Sequence, residues 1–252
     1  MNFKYIEMIK RLRNEYAHNK RIILKEELFE LYKEIYLNDN LKTFENMVGL
    51  LKKYEIITNY SSFEYLILQK ALYKMKEMEE LVKINKIILK EYKDIKTIVW
   101  STTILNEFTQ HYIMNNYIIV ETEKFATEMI LTLLKEKLMK KYTIVTESMY
   151  NQNKNLFLNN ENMLIVKSLN SRAPLEKKND GSFEPTIEKI MIDLYKDKLY
   201  EYYQGKELEY IYINIFEKYS INLKKLYSYA KDRVNIEQYK NFIKGLNVLN
   251  EV

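Results

Sequence analysis

The sequence predicts an α+β protein: a small N-terminal module of helices closed by a hairpin, then a mixed α/β domain with a small central sheet and a helical C-terminus. Three observations lead there. Between Asn40 and Leu68, Phe44, Met47, Val48 and Leu51 share one helical face. The period then becomes alternating, with Ile56, Thr58 and Tyr60 answered across Ser61-Ser62 by Phe63, Tyr65 and Ile67. From Lys96 onward apolar strand-like runs alternate with helical ones, and from Leu199 to the end the apolar spacing is helical throughout.

The first element is a helix from Phe3 to Tyr16, with Ile6, Ile9, Leu12 and Tyr16 on one face, ending near His18-Asn19. Leu24, Leu28, Leu31 and Ile35 give a second, closed by Asn38-Asp39-Asn40. Asp39 or Asn40 is suited to cap the third, because a short side-chain oxygen accepts from the free N–H groups of a first turn. Ser61-Ser62 lacks the Gly or Asn of a two-residue turn, so a longer loop is expected. Three helices closed by a hairpin in this order build a winged helix-turn-helix, assigned to residues 1–68.

Residues 69–94 are expected to form a linking helix, with Ala71, Met75, Met78, Val82, Leu89 and Tyr92 on one stripe. Residues 95–252 form the α/β domain. Its expected elements are strands at Thr97–Trp100, Tyr117–Glu121, Tyr142–Thr146 and Met163–Val166, and helices at Thr102–His111 and Phe125–Leu138. Ser171 to Glu184, with a proline, a glycine and clustered charges, reads as a mobile loop. The helix after it is expected to carry Pro185 at its start.

Composition narrows the chemistry. Zero cysteines and two histidines remove thiol nucleophiles and most zinc sites, and four scattered glycines supply no phosphate loop. No apolar run has the length of a bilayer span, and the charged start MNFKYIEMIKRLRNEY is unlike a signal peptide, so a cytoplasmic location is expected. A net charge of +5 leans mildly toward an anionic partner. On the third helix the residues placed to face a DNA groove are Lys42, Thr43, Asn46, Lys52 and Lys53, with Asn59 and Tyr60 on the wing. In the loop, Arg172, Lys177 and Lys178 are placed to meet an acidic protein partner.

Catalysis finds less support. Glu121-Thr122-Glu123-Lys124 has the acid-x-Lys arrangement of metal-dependent nucleases. Asp94 and Glu107, the nearby acids, are poorly placed to complete it, so a charged strand end entering a solvated helix is the simpler reading. His18 and His111 stand at no triad spacing, and Lys189 and Asp193, at spacing four, read as an ion pair within a helix. Most tyrosines fall on apolar stripes and belong to the core. No catalytic residue, metal or cofactor is expected.

Ile187 to Leu194, IEKIMIDL, following the winged-helix pattern and a strand-helix domain, resembles the AbiEi-type antitoxins of bacterial abortive-infection (type IV toxin-antitoxin) systems and an uncharacterised bacterial family related to them. Those proteins carry Pro-Glu-Arg-Thr-Leu-Val-Asp-Leu, to which Glu188, Lys189, Asp193 and Leu194 correspond, whereas Ile187 stands at the proline's place. The resemblance implies a DNA-binding transcriptional autorepressor that opposes a nucleotidyltransferase toxin. Two alternatives stay open: an interaction or inhibitor protein of a phage or other mobile element whose winged helix docks on protein, and a metal-dependent nuclease centred on Glu121 and Glu123.

Overall fold

The computed structural model describes residues 5–16, 22–68, 70–114, 116–157, 160, 162–178 and 180–248. The chain is of mixed α and β structure with a helical C-terminus, and forms two compact units. One comprises Met1–Tyr73, Phe216–Ser228 and Asn241–Val252, the other Lys74–Ile215 and Tyr229–Lys240.

The first unit begins with helix α1 (Ile6–Glu15), strand β1 (Ile22–Leu24), α2 (Lys25–Tyr36), α3 (Leu41–Lys53), β2 (Ile57–Asn59) and β3 (Glu64–Ile67). Its three-stranded antiparallel sheet has the order β1-β3-β2, with Ile23 opposite Tyr65 and Thr58 opposite Leu66. The apolar faces of the helices and the sheet meet in one core: Met8 and Leu12 of α1, Leu28 and Tyr32 of α2, Phe44, Met47 and Leu51 of α3, and Ile23, Ile57 and Ile67 of the sheet. Of the stripe expected on α1, Leu12 is buried, Ile9 and Tyr16 are half-buried against the core, and Ile6 is exposed, its place being taken by Met8. Each such side chain contributes about 1.5–3 kcal/mol by leaving water. Asn40 caps α3, its side chain accepting from the Thr43 N–H at 3.1 Å, and residues 60–63 make the loop longer than two. Strand β1 was not expected, and Ile22–Leu24 is extended because β3, some forty residues later, supplies its hydrogen bonds. The end of α1 expected at His18-Asn19 lies outside the described residues, as does His18 itself; the helix stops at Glu15.

The expected linking helix is shorter. Residues 72–78 have no regular structure and α4 covers only Glu79–Glu91. Just before, Ala71 bridges to Tyr219, and the Ser220 N–H donates to the Ala71 carbonyl at 2.9 Å, a pairing across the sequence that competes with helix formation.

The second unit continues with β4 (Thr97–Ser101), β5 (Tyr117–Thr122), α5 (Thr127–Leu138), β6 (Thr143–Thr146), α6 (Glu147–Gln152), α7 (Lys154–Phe157), β7 (Met163–Ser168), β8 (Leu175–Lys177), β9 (Phe183–Pro185) and α8 (Ile187–Lys196). The stretch expected as a helix over 102–111 is a 3-10 helix that ends at Glu107. Helices α9 (Lys206–Lys218), α10 (Leu223–Arg233) and α11 (Ile236–Gly245) close the chain. The sheet has six strands rather than four, in the order β6-β7-β5-β4-β9-β8. Strands β6, β7 and β5 are mutually parallel and β4 is antiparallel to β5.

Period-two alternation divides the sheet. Val99, Ile118, Val120, Ile144, Leu164 and Val166 face Leu81, Ile84 and Ile88 of α4 and Ile130 and Leu134 of α5. The alternate residues, Trp100, Ile119, Glu121, Ile165 and Lys167, occupy the other face, where Glu121 and Trp100 meet side chains of α8. That helix is buried at every position from Ile187 to Leu194, as a helix packed on all sides must be. Thr186, not Pro185, opens it. The Thr186 hydroxyl oxygen accepts from the Lys189 N–H at 3.4 Å, while Pro185 ends β9.

The loop expected at Ser171 to Glu184 is largely the β8–β9 hairpin, paired from Leu175 opposite Pro185 to Lys177 opposite Phe183. Its turn uses Gly181 at φ 86°, a left-handed conformation that glycine adopts without strain.

Candidate nucleic-acid interface and a buried ion cluster

Two arrangements of polar side chains stand out, one in each unit. On α3 the apolar face is buried and the opposite face is open. Lys42, Asn46, Gly49 and Lys53 recur there at spacings of four, three and four and are all exposed. Among the described residues Lys42, Asn46 and Lys53 have no ion-pair or side-chain hydrogen-bond partner, so their polar groups point into solvent. The neighbouring Glu45 is joined to Lys25 at 3.6 Å.

The other residues expected at this interface are differently engaged. Thr43 sits in the capped first turn of α3 and is half-buried. Lys52 lies over the Tyr65 ring at 4.8 Å, and burial together with Lys25 holds its ammonium below the ordinary lysine range. It therefore belongs to the flank of the helix. Asn59 is exposed, and its carbonyl accepts from the Asn222 side chain at 3.3 Å. Tyr60 is half-buried with Lys224 Nζ 5.7 Å from its ring, and Lys224 also pairs with Glu64 at 3.1 Å. The hairpin is thus fastened by residues 222–224, and Lys224 adds a cation beside it that the N-terminal sequence could not announce. Phe63, at the hairpin tip, is 75% exposed.

In the second unit Lys189, wholly buried, pairs with Glu121 Oε1 at 2.5 Å and Asp193 Oδ2 at 2.6 Å. Trp100 Nε1 donates to the same Glu121 oxygen at 2.9 Å. Tyr229 donates to Asp193 Oδ1 at 3.0 Å, and Arg233 reaches Asp193 at 3.3 Å and Asp197 at 2.8 Å. Lys167 closes the set on Asp197 at 2.6 Å and Glu147 at 3.2 Å.

Burial opposes every charge here, but the partners outweigh it. Asp193 and Glu121 hold the Lys189 ammonium above the ordinary lysine range, and Lys189, Lys167 and Arg233 hold the Asp193 carboxyl below the ordinary carboxylate range. Lys167 is raised likewise by Glu121 and Asp197. The Tyr200 hydroxyl, buried beside these carboxylates without a partner among the described residues, is pushed far up by burial and by Glu121.

The spacing-four pair of Lys189 and Asp193 is present as read from the sequence, whereas Glu121 is not a solvated strand end but the centre of a buried cluster. Glu123, its supposed companion, accepts from the Lys96 N–H at 3.1 Å. Among the described residues no group of three or more His, Cys, Asp or Glu side chains is placed to hold a metal ion. Glu188 and Leu194 are buried on α8 with the rest of the motif.

The basic residues of the hairpin region are mostly paired. Arg172 meets Asp232 at 2.5 Å, and Lys178 meets Glu77 at 3.0 Å and Glu184 at 2.8 Å. Lys177 is exposed and unpaired among the described residues. Sequence reasoning missed Trp100, Lys167, Tyr229 and Arg233 as members of the cluster. The alternation that places Lys167 on an otherwise apolar face was the available signal.

Fold and site together define a protein of mixed α and β structure with an open polar helix face in one unit and a self-neutralised ion cluster in the other. The chain belongs to a family of unknown function (DUF6577), whose model matches residues 43–248. No curated protein matches it. Among the described residues, no helix is long and apolar enough to cross a membrane.

Proposed function

We propose that the protein is a DNA-binding regulator of antitoxin type, gripping duplex DNA through its N-terminal unit and holding a protein partner elsewhere. One observation carries the reading. The order helix, strand, helix, helix, strand, strand, with the first strand on the third, supports a winged helix-turn-helix reading, and it leaves α3 with a polar face, unpaired among the described residues, flanked by a hairpin. In such a module the second helix of the turn enters the major groove, where Asn46 can pair with an adenine edge and Lys42 and Lys53 can neutralise phosphates.

The AbiEi-like motif supports the antitoxin assignment by resemblance alone; its charged residues act in this chain as a brace for the second unit. The partner in view is a nucleotidyltransferase-type toxin, and the chain's own promoter is the expected DNA. A cytoplasmic location follows from that role.

The test is fluorescence anisotropy on a duplex carrying the sequence upstream of the gene, titrated at several salt concentrations. Affinity should fall linearly with the logarithm of salt, because bound lysines release counterions. Lys42→Ala and Lys53→Ala should each lessen the slope by about one. A slope unchanged in both variants would count against this interface.

A second reading has its own support. Leu41 and Leu50 are exposed on the same helix, Tyr54 just past its end and Phe63 at the hairpin tip, so the module is also suited to dock on protein. Retention of a protein partner together with absence of duplex binding would favour it.

A further inference from the structure

Gly49 lies in the middle of α3, four residues from either end of the helix or more, at a position where glycine is the poorest ordinary helix former. The usual reasons for tolerating it are missing. Its φ is not positive, and a Cβ built there would meet no atom within 4 Å beyond the adjoining residues and the helix's own backbone. Among the described residues no packed neighbour therefore demands a bare backbone. An outside surface remains as the source of such a demand, and the residues on either side say what kind of surface it is. Gly49 stands between Asn46 and Lys53 on the exposed stripe that begins at Lys42, and these three polar side chains are unpartnered among the described residues.

We infer that Gly49 is the point of closest approach between α3 and bound duplex DNA, a positioning residue that sets how deeply the helix seats in the major groove. This rests on the DNA-binding reading above. A helix with its side chains is about 10–12 Å across and the major groove about 12 Å wide, so one methyl group on the leading edge is felt. With no side chain at Gly49 the backbone itself can lie against the base edges. Asn46, one turn earlier, then comes within hydrogen-bonding reach. Lys42 and Lys53, eleven residues and roughly 16 Å apart along the axis, extend to the phosphates on the two sides of the groove.

The inference makes stability and binding move in opposite directions. Gly49→Ala should raise the melting temperature by a few degrees, about 2–4 °C, because alanine is the better helix former and finds open space. The same variant should weaken binding of the promoter duplex about tenfold, and Gly49→Leu further, toward the level seen with an unrelated duplex. Lys52→Ala, off the stripe, is the control that should change affinity much less than Lys53→Ala.

Measured by anisotropy and differential scanning calorimetry on the full chain, wild-type binding with unchanged affinity in Gly49→Ala and Gly49→Leu would overturn the inference while leaving the DNA reading intact. No binding of any duplex by the wild type would overturn the DNA reading, and this inference with it. A fall in melting temperature in Gly49→Ala would overturn it from the other side, since the glycine would then be serving the fold.

Discussion

Replacing Lys189 by Met removes one ammonium from the centre of the second unit and little else, since the two side chains are close in length and volume. What remains is Glu121, still accepting from Trp100, and Asp193, still accepting from Tyr229 and near Arg233, each carboxylate having lost its shortest contact. Breaking a buried pair from one side costs about 3–5 kcal/mol, because a charge is left without compensation. Against a total stability of about 5–15 kcal/mol this is a large share. For a unit of this size it lowers the melting temperature by roughly 6–20 °C.

Trp100, the chain's one tryptophan, touches the cluster, so urea unfolding followed by its fluorescence reports on the right place. Glu121→Gln added to Lys189→Met should recover part of the loss by removing the stranded charge. A loss below about 1 kcal/mol for the single variant would refute the reasoning, since that is the range of a solvent-exposed pair. A double variant no better than the single would also refute it.

The same cluster fixes the pH dependence. Asp193 has its carboxyl depressed in the folded state, so its contribution is present above the unfolded aspartate value of about 3.9 and is lost as pH falls through the lower folded value. Lys189 is raised, so its contribution is complete below the unfolded lysine value of about 10.4 and is lost as pH rises beyond it. Stability measured by urea titration should therefore be flat across neutrality and fall on both sides, with the acid limb shifted in Asp193→Asn.

Tyr229→Phe should cost about 1–2 kcal/mol by removing one donor from Asp193, with the ion pairs intact, as read by the same unfolding assay. Asn40→Ala should destabilise the first unit by about 1 kcal/mol, since it removes the acceptor for the Thr43 N–H; a thermal melt of residues around the aromatic core of that unit would check it. Shortening Lys177 to Ser182 should lower stability, because the segment contains part of a paired hairpin and the Lys178 ion pairs with Glu77 and Glu184. An unchanged melting temperature would show it to be a dispensable loop.

Much of the N-terminal unit was legible from residues alone. The stripes through Leu12, through Leu28 and Leu31, and from Phe44 to Leu51 each specify a helix with one buried face, although on α1 it is Met8 and not Ile6 that is buried, and Asn40 carries its capping chemistry in its own side chain. Period and local hydrogen bonding act within a few residues, and sequence reports them directly. Strands β4 to β7 were legible for the same reason, as apolar runs between helical ones.

Pairing partners far along the chain decided the rest. Ile22–Leu24 became a strand because β3 offered hydrogen bonds some forty residues on. Leu175–Lys177 pairs locally with β9, but that hairpin is held on the sheet by β9 lying beside β4, although composition there favoured a loop. Ala71 found Tyr219 instead of continuing into a helix. Glu121 read as a charged strand end and Lys189 as half of a local ion pair, while Lys167 and Arg233 stood unmarked, and only the convergence of all four makes one buried network. Local sequence sets which face of an element is apolar. Which charges share a desolvated volume depends on the packing of distant segments, and the cost of burying any one of them unpaired binds the set together.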